Sequence, residues 1–425
     1  MGETRTINVF EGKKIILGIT GSIAAYKSLL LIRELVRRGA IVYPVLTPTA
    51  LHFVTPITVS NLARNEVIVD MFDSEIQRKG AWHIDLVHQC DLMIIAPATA
   101  STIGKIANGI CDNALATLAT ALPKGIPLLV APAMDSSMYE NPTTQRNIEI
   151  LKNDGVFIIP PSYGELSSGL FGEGRLPEIP ALMDYIETYL YFKEIGLGKA
   201  NEIRQRISNK KVLITAGPTY EKIDDVRFIS NFSSGKMGFA LAKQCQILGA
   251  QVKLISGPTH IELHHNIEMT KVTSAKEMFD EVAKHYSDVD IVFMASAVAD
   301  FTPIEPFSGK FKKERAESLE IKLRRTVDIL GFLGKEKKNQ LLVGFALEDT
   351  ANGLTNAWRK LIQKNCDMIV LNYFDKEKSG FGGNFNTMTL LGFASENELF
   401  IEDFPPMSKN LCALIILNKL ASIIN

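Results

Sequence analysis

The chain has 425 residues, enough for two ordinary domains, and its 46% apolar and 22% charged residues are typical of a soluble globular protein. The formal net charge of -1 argues against a nucleic-acid-binding protein, which normally has a basic excess. Five separated cysteines without a CxxC pair favour neither a disulfide framework nor a zinc site, and they fit a reducing cytoplasm. The N-terminus has no signal-peptide core, and no apolar run approaches the roughly 18 residues of a membrane span.

Two segments, one in each half of the chain, share an opening pattern. KKIILGITG (13–21) and KKVLITAG (210–217) each join a basic start, a continuous apolar run and a glycine, as a buried first strand of a parallel sheet does. A helix with an apolar stripe follows each strand, and Gly39 and Gly249 stand where a C-terminal capping glycine belongs. The pattern predicts an α/β protein of two Rossmann-like or flavodoxin-like three-layer domains with mostly parallel sheets.

Strand and helix patterns continue to alternate through both halves. DLMIIAPATA and IPLLVAPAM are predicted strands of the first sheet, and DIVFMASAVAD and LLVGFALED of the second. The polar residues 191–209 are predicted to link a domain at 1–190 to a domain at 210–425. TLLGF and ELFIEDF, around a polar turn, predict an antiparallel pair, and a last helix is expected from about Ser408.

Ligands of open α/β sheets bind outside the carboxyl ends of the strands, so functional residues are expected in the loops that follow the strands of the second half. ISNFSSGKMG opens a helix with small residues whose N–H groups could hold phosphate, although Met237 after Lys236 breaks a Walker A motif. A capped helix without a ligand is an equally good interpretation. Asp300 and Lys310 suit Mg²⁺ and a triphosphate, and Lys360 and Lys364 share one helix face, which solvent alone could also explain.

Together, ITAGPTYEKIDDVRFISNFSSGKMG, ASAVADF, KFKK, GFALED and KLIQKNCDMIVLN resemble the phosphopantothenate–cysteine ligase domain over nearly all of residues 210–395. The resemblance implies that CTP activates the carboxylate of 4'-phosphopantothenate as an acyl-cytidylate, with Mg²⁺, before cysteine displaces CMP. It assigns Asn231 to the activated intermediate and Lys310 to the triphosphate. It implies a CTP site at Ala295, Ser296, Ala297, Asp300, Lys310, Asp328, Ile329, Phe345, Lys360 and Lys364. Thr326 and Val327 depart from the family's Asn-Pro, which affects base recognition.

The loop GITGSIAAYK after the first strand lacks the GxGxxG pattern, so a mononucleotide such as FMN suits it better than a dinucleotide. His83, in AWHIDL, is more often structural than functional in such a position. GSIAAYK, LTPTALHFVTP, HIDL, APATASTIGKIANGICDN and PAMDSSMYENP resemble the flavin-dependent cysteine decarboxylases of coenzyme A synthesis over about residues 13–180. The resemblance implies that His83 is the acid–base residue. It implies an FMN site at Gly21, Ser22, Thr47, Phe53 and Thr99.

Two positions depart from the decarboxylase pattern. Asp135 replaces the asparagine that holds the substrate carboxylate, and an ionised aspartate would repel that group. Ser168 replaces the cysteine acid of the flexible segment, so the final reduction could be slow, could use another acid such as Glu165, or could stop at the enethiol. The leading hypothesis is a bifunctional phosphopantothenoylcysteine decarboxylase and phosphopantothenate–cysteine ligase. The alternatives are a front domain limited to oxidative cysteine decarboxylation, and a non-catalytic flavin-binding scaffold or regulator.

The resemblance also concerns partners. It implies small-molecule substrates rather than nucleic acid or membrane, in the cytoplasm. It further implies a homo-oligomer, with front domains arranged as trimers or a dodecamer and ligase domains paired as dimers, which closed symmetry would allow.

Overall fold

The computed structural model describes residues 6–72, 80–310, 319–348, 352–373, 383–395 and 398–424. The chain divides into two compact units, a front unit at Asn8–Ala200 and a back unit at Asn201–Asn425 together with Met1–Ile7. Within the motifs named above, residues 311–313 of KFKK and residue 349 of GFALED lie outside the described residues.

The front unit is built on a parallel sheet with the strand order β2-β1-β3-β4-β5. Its strands are β1 (Lys14–Ile19), β2 (Ile41–Leu46), β3 (Leu92–Ala98), β4 (Leu128–Pro132) and β5 (Phe157–Ile158), with an antiparallel hairpin of β6 (Ser162–Glu165) and β7 (Phe171–Arg175). Its helices are α1 (Ala25–Arg37), α2 (Pro56–Ala63), α3 (Trp82–Gln89), α4 (Ala100–Ala107), α5 (Ala114–Ala121), α6 (Ser136–Tyr139), α7 (Pro142–Asn153) and α8 (Ile179–Ile195).

The buried runs of the front unit explain its layers. All residues of β3 are buried, as the continuous apolar pattern predicted for a strand covered on both faces. The apolar stripe of α1, with Leu31, Ile32 and Leu35, is fully buried. Gly39 follows α1 with φ +94°, so the predicted glycine cap is confirmed, because side chains other than glycine rarely adopt that conformation.

The back unit has the strand order β12-β11-β8-β13-β16-β17-β18-β19, parallel up to β17 and antiparallel beyond it. Its main strands are β8 (Lys211–Ala216), β11 (Gln251–Ser256), β12 (Glu268–Lys271), β13 (Ile291–Met294), β16 (Leu341–Glu348), β17 (Met368–Tyr373), β18 (Phe385–Ser395) and β19 (Glu398–Ser408). Two short pairs join β9 (Glu221–Lys222) to β10 (Phe228–Ile229) and β14 (Phe301–Pro303) to β15 (Leu323–Arg325). The helices are α9 (Leu197–Ile207), α10 (Lys236–Ile247), α11 (Ala275–Tyr286), α12 (Ile329–Glu336), α13 (Gly353–Gln363) and α14 (Lys409–Ile423).

Helices cover both faces of this sheet. Leu213, Val292 and Leu342 share one hydrophobic cluster with the buried residues of α11, α12 and α13. Val212 and Ile214 flank Leu213 in β8 and are also buried, and they face the opposite side because side chains alternate along a strand. The helices α10 and α14 pack against each other and against β8, β11, β18 and β19. Both units are therefore three-layer α/β structures with mostly parallel sheets, as the sequence predicted.

The C-terminal predictions are also confirmed. β18 and β19 form an antiparallel pair that is longer than the predicted segments, and α14 begins after Ser408, whose hydroxyl accepts a hydrogen bond from the N–H of Leu411. The polar segment 191–209 contains the end of α8 and all of α9, because charged residues that look like a linker also form exposed helix faces. In the described part of the chain no helix is long and apolar enough to cross a membrane.

Candidate active sites

A cavity of about 780 Å³ lies in the back unit at the carboxyl ends of β8, β13 and β16. The loops that follow these strands form its wall, where ligands of open α/β sheets are expected. The predicted nucleotide-binding residues that line it are Ala295, Ser296, Ala297, Asp300, Asp328, Ile329, Phe345, Lys360 and Lys364. Ser233, Gly235 and Lys236 from the helix-opening motif line the same cavity. Residues separated by up to 131 positions in sequence, from 233 to 364, are thus gathered at one edge of the sheet.

The loop after β8 and the loop after β13 are in direct contact. The N–H of Ala297 donates to the carbonyl of Gly217 at 2.9 Å, and Pro218 and Ala297 form an isolated parallel bridge. The N–H of Ala299 donates to the hydroxyl of Thr219 at 3.0 Å. The loop after β8 is therefore fixed to the loop after β13 by backbone and side-chain hydrogen bonds.

Asn231 joins these loops through its side-chain amide. Its Nδ2 donates to the carbonyl oxygen of Ala297 at 2.5 Å, and its Oδ1 accepts from the N–H of Ser233 at 3.0 Å. Both bonds use the distinct donor and acceptor of an asparagine amide. Asn231 thereby connects the helix-opening motif to the cavity wall.

The far end of the cavity contains an acid and two lysines. Lys364 forms an ion pair with Asp328, and the N–H of Gly331 donates to the other oxygen of Asp328 at 2.9 Å. Burial alone would raise the pKa of Asp328, but the hydrogen bonds from Lys364 and Gly331 lower it overall. The ammonium of Lys360 donates to the carbonyl of Phe345 at 2.6 Å, and burial lowers the pKa of Lys360.

Of two further predicted features of this site, one lies outside the cavity lining and the other is part of it. Lys310 is exposed and is not among the lining residues; the N–H of its neighbour Gly309 donates to Asp225 at 2.9 Å. Thr326 and Val327, which depart from the family's pattern, do line the cavity. The hydroxyl of Thr326 donates to the carbonyl of Ala299 at 2.7 Å, so this residue holds the wall in place.

The sequence analysis missed one group of lining residues. The same cavity is also lined by Asn372 from β17, Asn386 from β18 and Lys409 from the start of α14. Lys409 is only 8% exposed, and Asn386 donates to the side-chain oxygen of Asn372 at 3.2 Å. No local motif marks these residues, and only the unusual depth of a lysine at a helix start distinguishes Lys409.

In the front unit, the predicted flavin residues gather at the carboxyl ends of β1, β2 and β3. The hydroxyl of Thr20 donates to the carbonyl of Pro97 at 2.8 Å and accepts from the N–H of Thr99 at 3.1 Å. Thr99 begins α4, and its hydroxyl accepts from the N–H of Thr102. The ends of β1 and β3 are therefore joined beside the start of a helix, an arrangement that suits an anion.

Gly21 follows β1 and lies against the next loop. A Cβ at this position would be 2.6 Å from the hydroxyl oxygen of Thr49, so a larger residue would displace that loop. Thr47 is buried, and its hydroxyl lies 3.1 Å from that of Thr49. Ser22 supplies a further hydroxyl, which accepts from the N–H of Ala24 at 3.3 Å. This set of hydroxyls around a tight backbone approach fits the phosphate of a mononucleotide.

Phe53 and His83 are less closely connected to the other predicted flavin residues. Phe53 is 45% exposed just after a short 3₁₀-helix at Pro48–His52, where its ring is open to a ligand. His83 is the second residue of α3, half-buried, with its ring 5.6 Å from that of Trp82 in an edge arrangement. No described hydrogen bond joins His83 to the other predicted flavin residues.

The two departures from the decarboxylase pattern are hydrogen-bonded to each other. The hydroxyl of Ser168, between β6 and β7, donates to Oδ2 of Asp135 at 2.7 Å. The N–H and hydroxyl of Ser137 lie 3.2 Å from Oδ1 of the same carboxylate. The Ser168 hydrogen bond, with those of Ser137, lowers the pKa of Asp135, so the residue is ionised at neutral pH.

Comparisons with known proteins identify a family for each half of the chain. The family described as DNA/pantothenate metabolism flavoprotein C-terminal domain matches residues 207–424, and the Flavoprotein family matches residues 5–190. The coenzyme A biosynthesis bifunctional protein CoaBC of Bacillus subtilis (strain 168) is 41% identical over 416 residues, which cover 98% of each chain. A cysteine/cysteine sulfinic acid decarboxylase of an unknown prokaryotic organism is 43% identical over 376 residues, or 88% of this chain and 100% of that protein.

A solved structure, the C-terminal domain of a coenzyme A biosynthesis bifunctional protein CoaBC, covers 51% of this chain and 96% of that chain at 40% identity and a TM-score of 0.43. The family assignment rests on the near-complete sequence matches and on the two family models. The chain therefore belongs to the CoaBC family of bifunctional coenzyme A biosynthesis proteins and is an enzyme with decarboxylase and ligase activities.

Proposed function

We propose that the back unit joins cysteine to 4'-phosphopantothenate in a CTP-dependent reaction that passes through an acyl-cytidylate. The observation that carries this proposal is the single cavity that gathers the small-residue loop before α10, Asp300 and the lysines of α13. A carboxylate is a poor electrophile, so its oxygen attacks the α-phosphorus of CTP and pyrophosphate leaves. The amine of cysteine then attacks the acyl carbon, an amide forms, and CMP leaves.

Different groups of residues have different roles in this reaction. Phe345, Asp328 and Lys360 enclose the base and ribose end, where their hydrogen-bonding groups are already oriented. Ser233, Ser234 and Gly235 line the cavity at the start of α10, where a helix N-terminus suits the phosphates. Asn231 holds the two loops together beside the acyl group. Asp300 supplies a carboxylate that, with the phosphates, would hold Mg²⁺, which binds proteins through few carboxylates and substrate oxygens.

We propose further that the front unit binds FMN at Gly21, Ser22, Thr47, Phe53 and Thr99 and decarboxylates 4'-phosphopantothenoylcysteine to 4'-phosphopantetheine. FMN supplies the oxidation of the thiol that makes loss of CO₂ possible, and then the reduction. His83 would move the proton in this half-reaction. The fit rests on the hydroxyls of Ser22, Thr47 and Thr99 and on the close packing of Gly21 against Thr49.

The Ser168–Asp135 hydrogen bond favours a second candidate for the front unit. With its hydroxyl donated to a carboxylate, Ser168 is a poor proton donor, and a serine hydroxyl is a much weaker acid than a thiol. A front unit without that acid would release the enethiol after CO₂ loss, unless Glu165 at the end of β6 replaces it.

Mass spectrometry of the products distinguishes these candidates. The purified chain is incubated with 4'-phosphopantothenate, cysteine, CTP and Mg²⁺. A saturated thiol, 4'-phosphopantetheine, supports the full reaction, a product two hydrogens lighter supports oxidative decarboxylation alone, and a halt at the carboxylated conjugate leaves only the ligase. Free cysteine is the control substrate, because one relative bears a cysteine decarboxylase name. Absence of any conjugate, with substrates shown to be intact, would refute the proposed ligase activity.

Two variants assign the activities to their units. Lys310 lies outside the cavity lining, but the family resemblance assigns it to the triphosphate, so Lys310→Gln should abolish the ligase while the protein stays folded and yellow. His83→Asn should stop CO₂ release with flavin still bound, and unchanged release would remove His83 from the mechanism. The visible spectrum of each variant shows whether flavin is retained.

We also propose that the chain acts in the cytoplasm as a homo-oligomer. Ile23, Tyr26 and Leu30 are more than half exposed on and just before α1, and Ile57 on the neighbouring α2 is 70% exposed. An apolar surface of this kind commonly marks a contact between proteins. Light scattering after gel filtration tests this, and a monomer at micromolar concentration would contradict it.

A further inference from the structure

Five of the described residues that line the cavity of the back unit are lysine or arginine. They are Lys236, Arg325, Lys360, Lys364 and Lys409. Each of the four lysines interacts with another protein group, for example Lys364 with Asp328. Among the described residues, by contrast, none forms a hydrogen bond or an ion pair with the guanidinium of Arg325. Of these five residues, Arg325 is therefore the one that can bind a ligand without first releasing a protein group.

Arg325 belongs to the short antiparallel pair of β14 and β15. Its partner in register is Phe301, and both side chains are exposed and line the cavity. Residues directly opposite each other in an antiparallel pair project to the same face. The preceding Arg324 is opposite Thr302, and neither of these lines the cavity, because successive side chains of a strand alternate between faces. The two strands therefore turn one arginine toward the cavity and the other away from it.

Arg325 is held beside Asp300, a carboxylate of the same wall. The N–H of Thr326 donates to the backbone oxygen of Asp300 at 3.0 Å, and the hydroxyl of Thr326 donates to the carbonyl of Ala299 at 2.7 Å. Asp300 and Arg325 carry opposite charges and both line the cavity, but no ion pair joins these two described side chains. The carboxylate and the guanidinium are therefore both available to a ligand that presents a metal ion and phosphate oxygens together.

The chemistry of a guanidinium suits phosphate at this position. The group is planar and always protonated, and it can bind two phosphate oxygens through parallel N–H···O bonds. A triphosphate is strongly anionic, and further negative charge collects on the pyrophosphate group as its bond to the α-phosphorus breaks. Lys364 would have to leave Asp328 to reach that group, and Lys310 lies outside the cavity lining. Arg325 can supply this positive charge without loss of a described protein contact.

We propose that Arg325 binds the terminal phosphates of CTP and stabilises the pyrophosphate as it leaves. The inference rests on the proposed ligase function and deepens it, because it assigns the leaving group to a residue of β15. The carboxylate oxygen of the substrate forms a bond to the α-phosphorus, the bond from that phosphorus to the bridging oxygen breaks, and its electron pair stays on pyrophosphate. Arg325 gives up no proton in this step and acts through its charge and its N–H donors.

Calorimetric titration of the full chain, with Mg²⁺ present, compares the binding of CTP with that of CMP. Arg325→Met removes the charge and the N–H donors but keeps a flexible side chain. We expect it to weaken CTP binding by about tenfold to one hundredfold, the range for loss of a hydrogen bond between charged groups, and to leave CMP binding unchanged. Arg325→Lys, which keeps the charge but not the planar fork, should lose less. Arg324→Met is the matched control on the same strand and should change neither affinity.

Inhibition of the ligase by inorganic pyrophosphate is a second readout, which a merely structural role would not move. The inhibition constant should rise in Arg325→Met by the same factor as the dissociation constant of CTP, whereas KM for cysteine and for 4'-phosphopantothenate should not change. The thermal unfolding midpoint of this variant should match that of the unaltered chain, because the side chain is exposed and has no partner among the described residues.

Four results would each overturn the inference alone. They are unchanged CTP binding in Arg325→Met, equal weakening of CTP and CMP, an equal effect of Arg324→Met, and a rise in KM confined to 4'-phosphopantothenate. The last result would assign the guanidinium to the phosphate of that substrate. If the unaltered chain binds neither nucleotide and forms no conjugate, the proposed ligase function and this inference fail together.

Discussion

Asn231 allows a sharp test, because its two hydrogen bonds respond differently to two substitutions. In Asn231→Asp, one carboxylate oxygen still accepts from the N–H of Ser233, but the other faces the carbonyl of Ala297, to which the amide now donates at 2.5 Å. In Asn231→Ala, both bonds are lost and no charge is introduced. If the hydrogen bond to Ala297 supports ligase activity, Asn231→Asp should lose more of that activity than Asn231→Ala.

The magnitude follows from the bonds involved. Loss of the amide–carbonyl bond is worth about 1 kcal/mol, and a carboxylate held against a carbonyl oxygen adds roughly 1–2 kcal/mol. The sum of about 2–3 kcal/mol corresponds to a fall of roughly 30- to 150-fold in kcat/KM of the ligase if it acts fully in the transition state. Pyrophosphate release from CTP, 4'-phosphopantothenate and cysteine measures this rate, with flavin absorbance as the control for the front unit. Equal activity of the two variants, or a more active aspartate variant, would refute the reasoning.

Three other predictions concern single residues. Gly21→Ala should reduce bound flavin per chain, read from the visible spectrum, because its Cβ would lie 2.6 Å from the Thr49 hydroxyl, and full flavin content would contradict the fit. Asp328→Ala should lower the free energy of unfolding by about 1 kcal/mol, mainly through the lost cap of α12, since its partly exposed pair with Lys364 adds little. The folded-state pKa of Asp328 is lowered, so its contribution is complete above about pH 4 and is lost as pH falls through the folded value. Urea unfolding from pH 6 to pH 3 should therefore show a smaller loss of stability in the variant than in the parent. Lys360→Met should weaken binding of CTP and CMP equally, because its ammonium lies at the Phe345 end, and selective loss of CTP would reassign it to the phosphates.

Local sequence patterns determined the architecture of this protein. Continuous apolar runs identified the buried strands, and glycines identified the helix ends, because burial on both faces and positive φ each restrict residue type locally. The loops that follow those strands had to meet at one edge of each sheet, so most residues of the nucleotide cavity could be named in advance. Lys310 is the exception: its loop contacts Asp225, and the residue lies outside the cavity lining.

Only the tertiary structure decided which distant side chains share these sites. Lys409 and Asn386 reach the cavity because β18 and β19 return antiparallel beside β17, and no pattern in the helix Lys409–Ile423 encodes that destination. The hydrogen bond between Ser168 and Asp135 likewise depends on the β6–β7 hairpin folding onto α6. Sequence periodicity reports whether a residue is buried, whereas its partners are set by sheet order and by the path of the chain between strands.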